Sequence, residues 1–179
     1  VSGVVTLLLV TGGLGFSVIS EVIGIKKIRR FSLHTKLVLV ITAAMLGMGA
    51  VLVFVLEYSN PATLGPLSPG EKVLASVFHS ATPRTAGFNT LPVEGLTNAT
   101  RFLNMIFMFI GGSSGSTAGG IKITTAGILA MTVMSVIMGR EDTEVFKRRI
   151  PKETVYRALA IVTISLIILV AATIVLTIT

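Results

Sequence analysis

The sequence contains no cysteine, few charged residues and only two histidines. The absence of cysteine excludes disulfide bonds and cysteine-ligated metals. The histidines, His34 and His79, are too few and too far apart in the chain to indicate a metal site. Charged residues make up 13% of the chain, against about 25% in an average soluble domain. Together with 52% hydrophobic residues and a mean hydropathy of +0.89, this composition indicates a membrane protein.

The net charge of +7 comes from two basic clusters, at residues 26–36 and 140–157. A nucleic-acid-binding surface would spread its basic residues along a solvated face with aromatics between them, so we expect no nucleic-acid partner. Basic clusters between apolar runs follow the positive-inside rule. We therefore predict a multi-pass protein of the cell membrane, with loops 26–36 and 140–154 cytoplasmic and residues 57–98 on the extracellular side.

Three apolar segments, Val1–Ile25, Leu37–Leu56 and Val155–Thr179, are about long enough to span a bilayer as helices. The first has no basic n-region and no small-residue cleavage site, so it is not typical of a signal peptide. The last is still hydrophobic where the sequence stops. We expect an internal fragment of a longer polytopic protein.

The first apolar segment contains the motif GGLGF at residues 12–16. Its small residues predict close packing between helices, with a functional hinge as the alternative. The spacing does not match the GxGxxG motif of dinucleotide sites. Glu21, near the end of the segment, is expected to form an ion pair with Lys26 or Lys27. The alternative is a role in an ion pore or its gate.

A short helix is predicted over residues 69–81. Ser68 can cap it, Pro69 suits the first helical position and Glu71 completes a capping box. Pro83 disfavours helix in the residue before it. The helix is too short to cross a bilayer and lies between spanning segments, with the partial negative charge of its carbonyl end facing whatever follows. That end favours a cation.

The segment after this helix, TAGFN at residues 85–89, matches the potassium filter pattern Thr-Val-Gly-Tyr-Gly at four positions in kind. Such a filter replaces the water shell of an ion with consecutive backbone carbonyls. The backbone angles required favour glycine at position 87, and Asn89 is the next most tolerant type of residue in place of the last glycine. Arg84 is expected to support the filter through a nearby carboxylate. The alternative is a plain outer loop that turns at Gly87.

A second unusual segment, GGSSGSTAGG at residues 111–120, interrupts an apolar stretch between residues 101 and 139. A stretch with five glycines and four hydroxyl residues in ten positions cannot remain an ordinary helix, and irregular backbone at membrane depth requires protein or a watery cavity around it. We predict a broken helix whose polar loop forms a gate or part of an ion pathway. Lys122 is a functional candidate on the same grounds. A passive break, with Lys122 snorkelling, is the alternative, and Ile121 disrupts the Walker A spacing of a phosphate loop.

The motifs TPRTAGFNT at residues 82–90 and GGSSGSTAGGIKITT at residues 111–125, supported by GGLGF, resemble the Trk, Ktr and HKT superfamily of potassium-translocating membrane subunits, of the KtrB/TrkH type. The resemblance implies an all-α membrane protein with potassium-channel-like repeats of helix, pore helix, filter loop and broken helix, and with flanking transmembrane helices. Four such repeats surround one pore.

By this resemblance, the fragment contains parts of three repeats. Residues 1–30 are the second helix of one repeat, residues 31–140 are a complete pore repeat, and residues 141–179 are a cytoplasmic loop with the first helix of the next. The parts of the complete repeat are an outer helix at 37–56, a pore helix at 69–81, a filter at 85–89 and a broken inner helix at 99–139.

The resemblance also implies site residues and partners. The filter carbonyls come from Thr85, Ala86, Gly87 and Phe88, with Arg84 and Asn89 as support. The gate comprises Gly111, Gly112, Ser113, Ser114, Gly115, Ser116, Thr117, Ala118, Gly119, Gly120 and Lys122. The expected assembly is a homodimer in the lipid bilayer on a cytoplasmic ring of regulatory subunits that bind ATP, ADP or NAD. This chain itself is expected to hold no cofactor, with K⁺ as the transported ion.

The function predicted is potassium uptake through a gated pore lined by backbone carbonyls. A secondary transporter that binds a cation or a small solute at the broken helix 111–120 is the alternative. An enzyme would require an acid–base pair, a nucleophile with histidine or a metal cluster, and the sequence shows no such set. We therefore predict that the protein is not an enzyme.

Overall fold

The computed structural model describes residues 2–25, 30–84, 87–140, 142–146 and 148–178. These form two compact units, residues 1–123 and residues 124–179. The described residues are mostly helical, with one small β-hairpin and short 3₁₀ turns at Thr82–Arg84 and Val93–Gly95. The elements in chain order are α1 (Ser2–Leu14), α2 (Phe16–Gly24), α3 (Leu33–Glu57), α4 (Pro69–Ala81), α5 (Asn98–Phe109), α6 (Ile123–Ile137), β1 (Glu144–Val145), β2 (Arg148–Arg149) and α7 (Lys152–Ile178).

Two of the described helices, α3 and α7, are long and apolar enough to cross a membrane. α3 begins at Leu33, before the Leu37 expected for the outer helix. Its first turn forms because Ser32 is the N-cap and its hydroxyl accepts the backbone N–H of Thr35 at 3.2 Å. The polar residues that precede Leu37 therefore belong to the helix and are not part of the loop.

The single spanning helix expected over residues 1–25 is instead broken into α1 and α2. The two helices meet at an angle of 100°. Gly15, between them, has a φ of +81°, a conformation that residues with a side chain rarely adopt. The glycine motif therefore contains a sharp bend of the chain at Gly15.

The core of the first unit lies where α2, α3, α5 and the start of α6 meet. Its buried members are Val18, Val38, Met45, Phe107 and Ile123. A second apolar cluster forms among the residues that flank α4, from Leu64, Leu91 and Leu96. The second cluster packs against α4 through Ala75.

A close contact between α3 and α5 makes Gly49 sensitive to substitution. A Cβ at Gly49 would lie 2.4 Å from Cε2 of the buried Phe107 and 3.0 Å from Cβ of Ser80. We expect Gly49→Val in the full-length protein to lower the free energy of unfolding by about 1–3 kcal/mol, the usual cost of overpacking. Thermal unfolding in detergent would measure it. Gly47→Val is the matched control, because no described atom lies within 4 Å of its Cβ position; equal Tm values for the two variants would contradict the prediction.

The second unit contains the rest of α6, the β-hairpin and α7. β1 and β2 are antiparallel, with Glu144 opposite Arg149, and Arg149 forms an ion pair with Asp142 at 2.7 Å. The turn between the strands includes Phe146 at a positive φ of 50°. The second basic loop is therefore partly ordered as a hairpin.

Candidate functional site

The short helix α4 is capped as its sequence predicts. Ser68 and Glu71 form a capping box, in which a Glu71 carboxylate oxygen accepts the backbone N–H of Ser68 at 3.0 Å and its hydroxyl at 2.8 Å. These two hydrogen bonds hold the pKa of Glu71 below its ordinary value. The bond from the backbone N–H has the larger effect and the bond from the hydroxyl the smaller. The carboxylate is also well placed beside the positive end of the helix dipole.

The other end of α4 leads through the 3₁₀ turn Thr82–Arg84 into the predicted filter. Thr85 and Ala86 lie outside the described residues. Gly87 has a φ of +66°, and its backbone N–H donates to the carbonyl of Thr82 at 3.4 Å. The following residues, including Phe88 (62% exposed) and Asn89, extend along the surface of the unit. The structure thus shows a left-handed glycine directly after a short helix that does not span.

Arg84 lies at the end of the 3₁₀ turn that follows this helix. Its side chain is buried, with 7% exposed, and its Nε has no hydrogen-bond partner. Within the described part of the chain, no carboxylate forms an ion pair with it. Among the described residues, Arg84 lies beside the apolar side chains of Leu9, Val10, Leu46 and Ala81, and a carboxylate anchor for it stays a prediction.

His79 joins α4 to the next helix. Its side chain is 2% exposed, and its Nε2 forms a hydrogen bond of 3.1 Å with Nδ2 of Asn104 on α5. This contact agrees with a packing role for the histidine. The short helix is therefore fastened to α5 near the end that leads to Gly87.

The polar segment between α5 and α6 is a compact loop pinned at its base. Ile110 and Ile121 form a parallel bridge. The backbone N–H of Gly111 donates to the carbonyl of Ile121, and that of Ile121 to Phe109, each at 2.9 Å. A Cβ at Gly111 would lie 1.5 Å from the carbonyl oxygen of Gly119, so only glycine fits there. The broken helix predicted from the sequence is thus an ordered loop, closed where it leaves and re-enters helix.

Two side chains, that of Ser116 in the loop and that of Lys122 after it, donate hydrogen bonds to backbone carbonyls of the loop. Ser116 Oγ donates to the carbonyl of Ser113 at 2.6 Å. Lys122 Nζ donates to the carbonyl of Ala118 at 3.0 Å. The ammonium group therefore bonds to the loop that precedes it. Removing its charge would leave a loop carbonyl without this donor.

The motif GGLGF meets the loop through main-chain atoms. The backbone N–H of Ser113 donates to the carbonyl of Gly13 at 2.9 Å, and that of Phe16 donates to the carbonyl of Gly115 at 3.4 Å. We call these two hydrogen bonds the main-chain latch. A Cβ at Gly15 would lie 2.7 Å from a carbonyl oxygen of the loop, so the bend at Gly15 allows the close approach.

Two carboxylates have partners that the sequence analysis did not identify. Glu21 accepts hydrogen bonds from Ser32 and Thr35 at the start of α3; the lysines expected as its partners lie outside the described residues. Glu57, the first residue of the stretch predicted to be extracellular, is fully buried and accepts the backbone N–H of Thr97 at 2.9 Å. In both cases the acceptor lies at the N-cap of a later helix. The pair of hydroxyl residues three apart at each cap is the sequence signal that could have indicated this.

The sequence model of the family described as "TrkH: Cation transport protein" matches residues 1–179. The chain belongs to this family. Ktr system potassium uptake protein B of Bacillus subtilis (strain 168) is 42% identical to it over 98% of the chain. Potassium/sodium uptake protein NtpJ of Enterococcus hirae is 37% identical over 98% of the chain. The resemblance inferred from the two motifs is confirmed.

A solved structure shows that the TrkH-family fold extends to this chain. The potassium transporter TrkH of Vibrio parahaemolyticus superposes with a TM-score of 0.70 over 89% of the chain, at 16% identity. The all-α membrane fold expected from the sequence is therefore confirmed. The chain spans 40% of the length of the Bacillus relative, 39% of the Enterococcus relative and 35% of the solved chain.

Proposed function

We propose that this chain is part of the pore-forming subunit of a potassium uptake protein, in which ions cross the cell membrane through a gated pore lined by backbone carbonyls. One observation carries the proposal. A capped helix too short to span is followed by Gly87, which has a φ of +66° and donates its backbone N–H to the carbonyl of Thr82, the C-cap of that helix. A helix C-terminus favours a cation, and a left-handed glycine allows successive carbonyls to turn toward one side. The names of the relatives, both described as uptake proteins for potassium or for potassium and sodium, support the choice of ion.

In this proposal the carbonyls of Thr85, Ala86, Gly87 and Phe88 form one of several strands around the ion. Asn89 and Arg84 support that strand. The exposure of Phe88 and its neighbours fits a surface that meets other strands of the complete protein. One strand cannot surround an ion, so the fragment alone is not expected to conduct.

The gate, as proposed, is the loop of residues 111–120 with Lys122. Its pinned base and the main-chain latch support this proposal, because both hold the loop in one position. The Lys122 ammonium adds a charge-assisted hydrogen bond to a loop carbonyl. Opening would break the latch and move the loop away from the helix that holds it.

The complete protein, as we propose it, repeats this architecture around one pore. Residues 1–30 would end one repeat, residues 31–140 would form a whole repeat and residues 141–179 would begin another. Loops 26–36 and 140–154 would be cytoplasmic, and residues 57–98 extracellular. A homodimer on a ring of ATP-, ADP- or NAD-binding subunits is part of the proposal, and the resemblance to Trk, Ktr and HKT proteins supports it. The chain would act as a transport protein without enzymatic activity or a cofactor of its own.

A secondary transporter is the second candidate, and one observation favours it. The structure contains the bent helix pair α1–α2, and its bend contacts the loop of residues 111–120 through the main-chain latch. Paired discontinuous helices are typical of substrate sites in transporters. The short capped helix and the filter-like strand have no role in that mechanism.

Flux through the purified full-length protein in liposomes separates the two candidates. We expect K⁺ to move down its own gradient when no second transported solute is present, because a pore couples K⁺ to nothing else. Empty liposomes and liposomes containing an unrelated membrane protein are the controls. Flux that appears only with a co-transported solute would contradict the pore and favour the transporter.

A further inference from the structure

The buried carboxylate of Glu57 connects the two ends of the segment between α3 and α5, residues 58–97, which carries the filter-like strand. We call this segment the hairpin. Glu57 is the last residue of α3, where the chain leaves for α4. Its Oε1 accepts the backbone N–H of Thr97 at 2.9 Å and the Thr97 hydroxyl at 2.8 Å. Thr97 is the N-cap of α5, where the chain returns. One side chain therefore bridges an entry and an exit that are 40 residues apart in sequence.

The second carboxylate oxygen holds the turn that follows α3. Oε2 accepts the hydroxyl of Thr63 and the side-chain amide of Asn60, each at 2.6 Å. The same Asn60 amide also donates to the carbonyl of Gly95 at 2.8 Å, on the returning segment. Glu57 and Asn60 thus fasten both sides of the hairpin to each other through separate bonds. We call this set of contacts the Glu57 clasp.

The charge of Glu57 is stabilised by neutral donors and by a helix terminus. Glu57 is 0% exposed, and no lysine or arginine of the described residues forms an ion pair with it. The nearby Lys72 donates instead to the carbonyl of Tyr58 at 3.0 Å. The positive end of the α5 dipole and several charge-assisted hydrogen bonds compensate for the loss of water. Removing the carboxylate would leave several buried donors without an acceptor.

We propose that Glu57 is a positioning residue for ion selectivity, acting through the clasp on the geometry of residues 85–89. This inference rests on the proposed function, because it assigns a role within the same filter. Discrimination between K⁺ and Na⁺ depends on how a filter arranges its carbonyls. Clasping both ends of the hairpin limits how far the strand between them can relax. Without the clasp, the strand adapts to ions of more than one size.

The test uses the full-length protein in cells that lack their own potassium uptake systems. For Glu57→Gln we expect the ratio of K⁺ to Na⁺ uptake, per molecule in the membrane, to fall by roughly tenfold, the scale of one buried hydrogen bond to a charged group. Glu57→Ala should lower it further. Glu94→Gln is the matched control, since Glu94 is an exposed carboxylate in the same hairpin.

Thr63→Val provides a second test if the Glu57 variants do not reach the membrane. Thr63 is buried, and the substitution removes one donor of the clasp with little change in shape. We expect a smaller drop in the same ratio, together with a higher KM for K⁺ at an unchanged amount of protein in the membrane. The proposal would be overturned if Glu57→Gln had the same ratio of K⁺ to Na⁺ uptake and the same KM for K⁺ as the parent protein. If only Thr63→Val reaches the membrane, the same result in that variant would overturn it.

The unmodified protein separates this inference from the function on which it rests. If the parent takes up K⁺ in preference to Na⁺ and the clasp variants do so equally well, only the role of Glu57 fails. If the parent itself moves no K⁺ in these cells or in liposomes, the pore is wrong and the clasp has no filter to position.

Discussion

Replacing Gly87 with serine in the full-length protein is expected to increase sodium entry relative to potassium entry. Gly87 has a φ of +66°, where a residue with a side chain costs about 1–2 kcal/mol more than glycine. No described atom lies within 4 Å of the added Cβ, so the cost arises from the backbone conformation and not from a clash. The strand therefore relaxes, and its carbonyls move. We expect the ratio of K⁺ to Na⁺ uptake to fall by about tenfold, the equivalent of 1.4 kcal/mol.

The measurement is the uptake of both ions in cells without their own potassium uptake systems. Gly70→Ser is the matched control, because Gly70 lies in α4 of the same hairpin, without a positive φ and without described atoms near its Cβ position. If both uptakes are unchanged in Gly87→Ser, residues 85–89 are a plain outer loop. The transporter would then be the better account of the bent helix pair α1–α2 and of the loop 111–120 that it contacts.

Deleting residues 111–120 from the full-length protein is expected to raise K⁺ flux severalfold. The loop is ordered by its pinned base and by the main-chain latch, so its removal eliminates the element proposed to close the pathway. Ile110 and Ile121 are already bridge partners, and the chain can be rejoined across a short gap. Radioactive rubidium or potassium uptake, corrected for the amount of protein in the membrane, measures the effect. Unchanged flux at normal expression would rule out the loop as a gate.

Gly15→Ala tests the same gate without removing any of it. The added Cβ would lie 2.7 Å from a loop carbonyl oxygen at a φ of +81°, so the bend and the latch cannot both persist unchanged. We expect an increase in flux that is smaller than that of the deletion. Gly13→Ala is the control: nothing described lies within 4 Å of its Cβ position, and its latch carbonyl is retained. Equal flux in the two variants would show that the latch does not hold the gate closed.

The parts of the structure that follow from short-range chemistry were predictable from the sequence. α4 occupies Pro69–Ala81 because its cap, its first-turn proline and the proline after it act within a few residues of one another. The positive φ of Gly87 agrees with the reason given for a glycine at that position. The break at residues 111–120 was predictable because no helix tolerates that composition. The roles of these residues in conduction remain predictions.

The contacts that connect distant segments were not predictable in the same way. The bend at Gly15 depends on a loop that lies about a hundred residues later in the chain, and glycines alone do not distinguish close packing from a break. The contacts of Glu57 do not follow from local sequence, because its donors are spread from residue 60 to residue 97. Arg84 was paired with a carboxylate by charge, yet its surroundings are apolar. Each of these outcomes depends on tertiary packing, which local patterns do not specify.

The main-chain latch affects which substitutions these positions can accept and what a mutational scan of them can detect. Both of its hydrogen bonds join a backbone N–H to a backbone carbonyl, so neither bond uses a side-chain atom. The latch therefore persists through side-chain changes at Ser113 and Phe16 that fit the space available, whereas a change at Ser116 would remove its hydrogen bond to the carbonyl of Ser113. An alanine scan would therefore report on the Ser116 hydrogen bond but not on the latch, whose most sensitive positions are glycines, which have no side chain to remove.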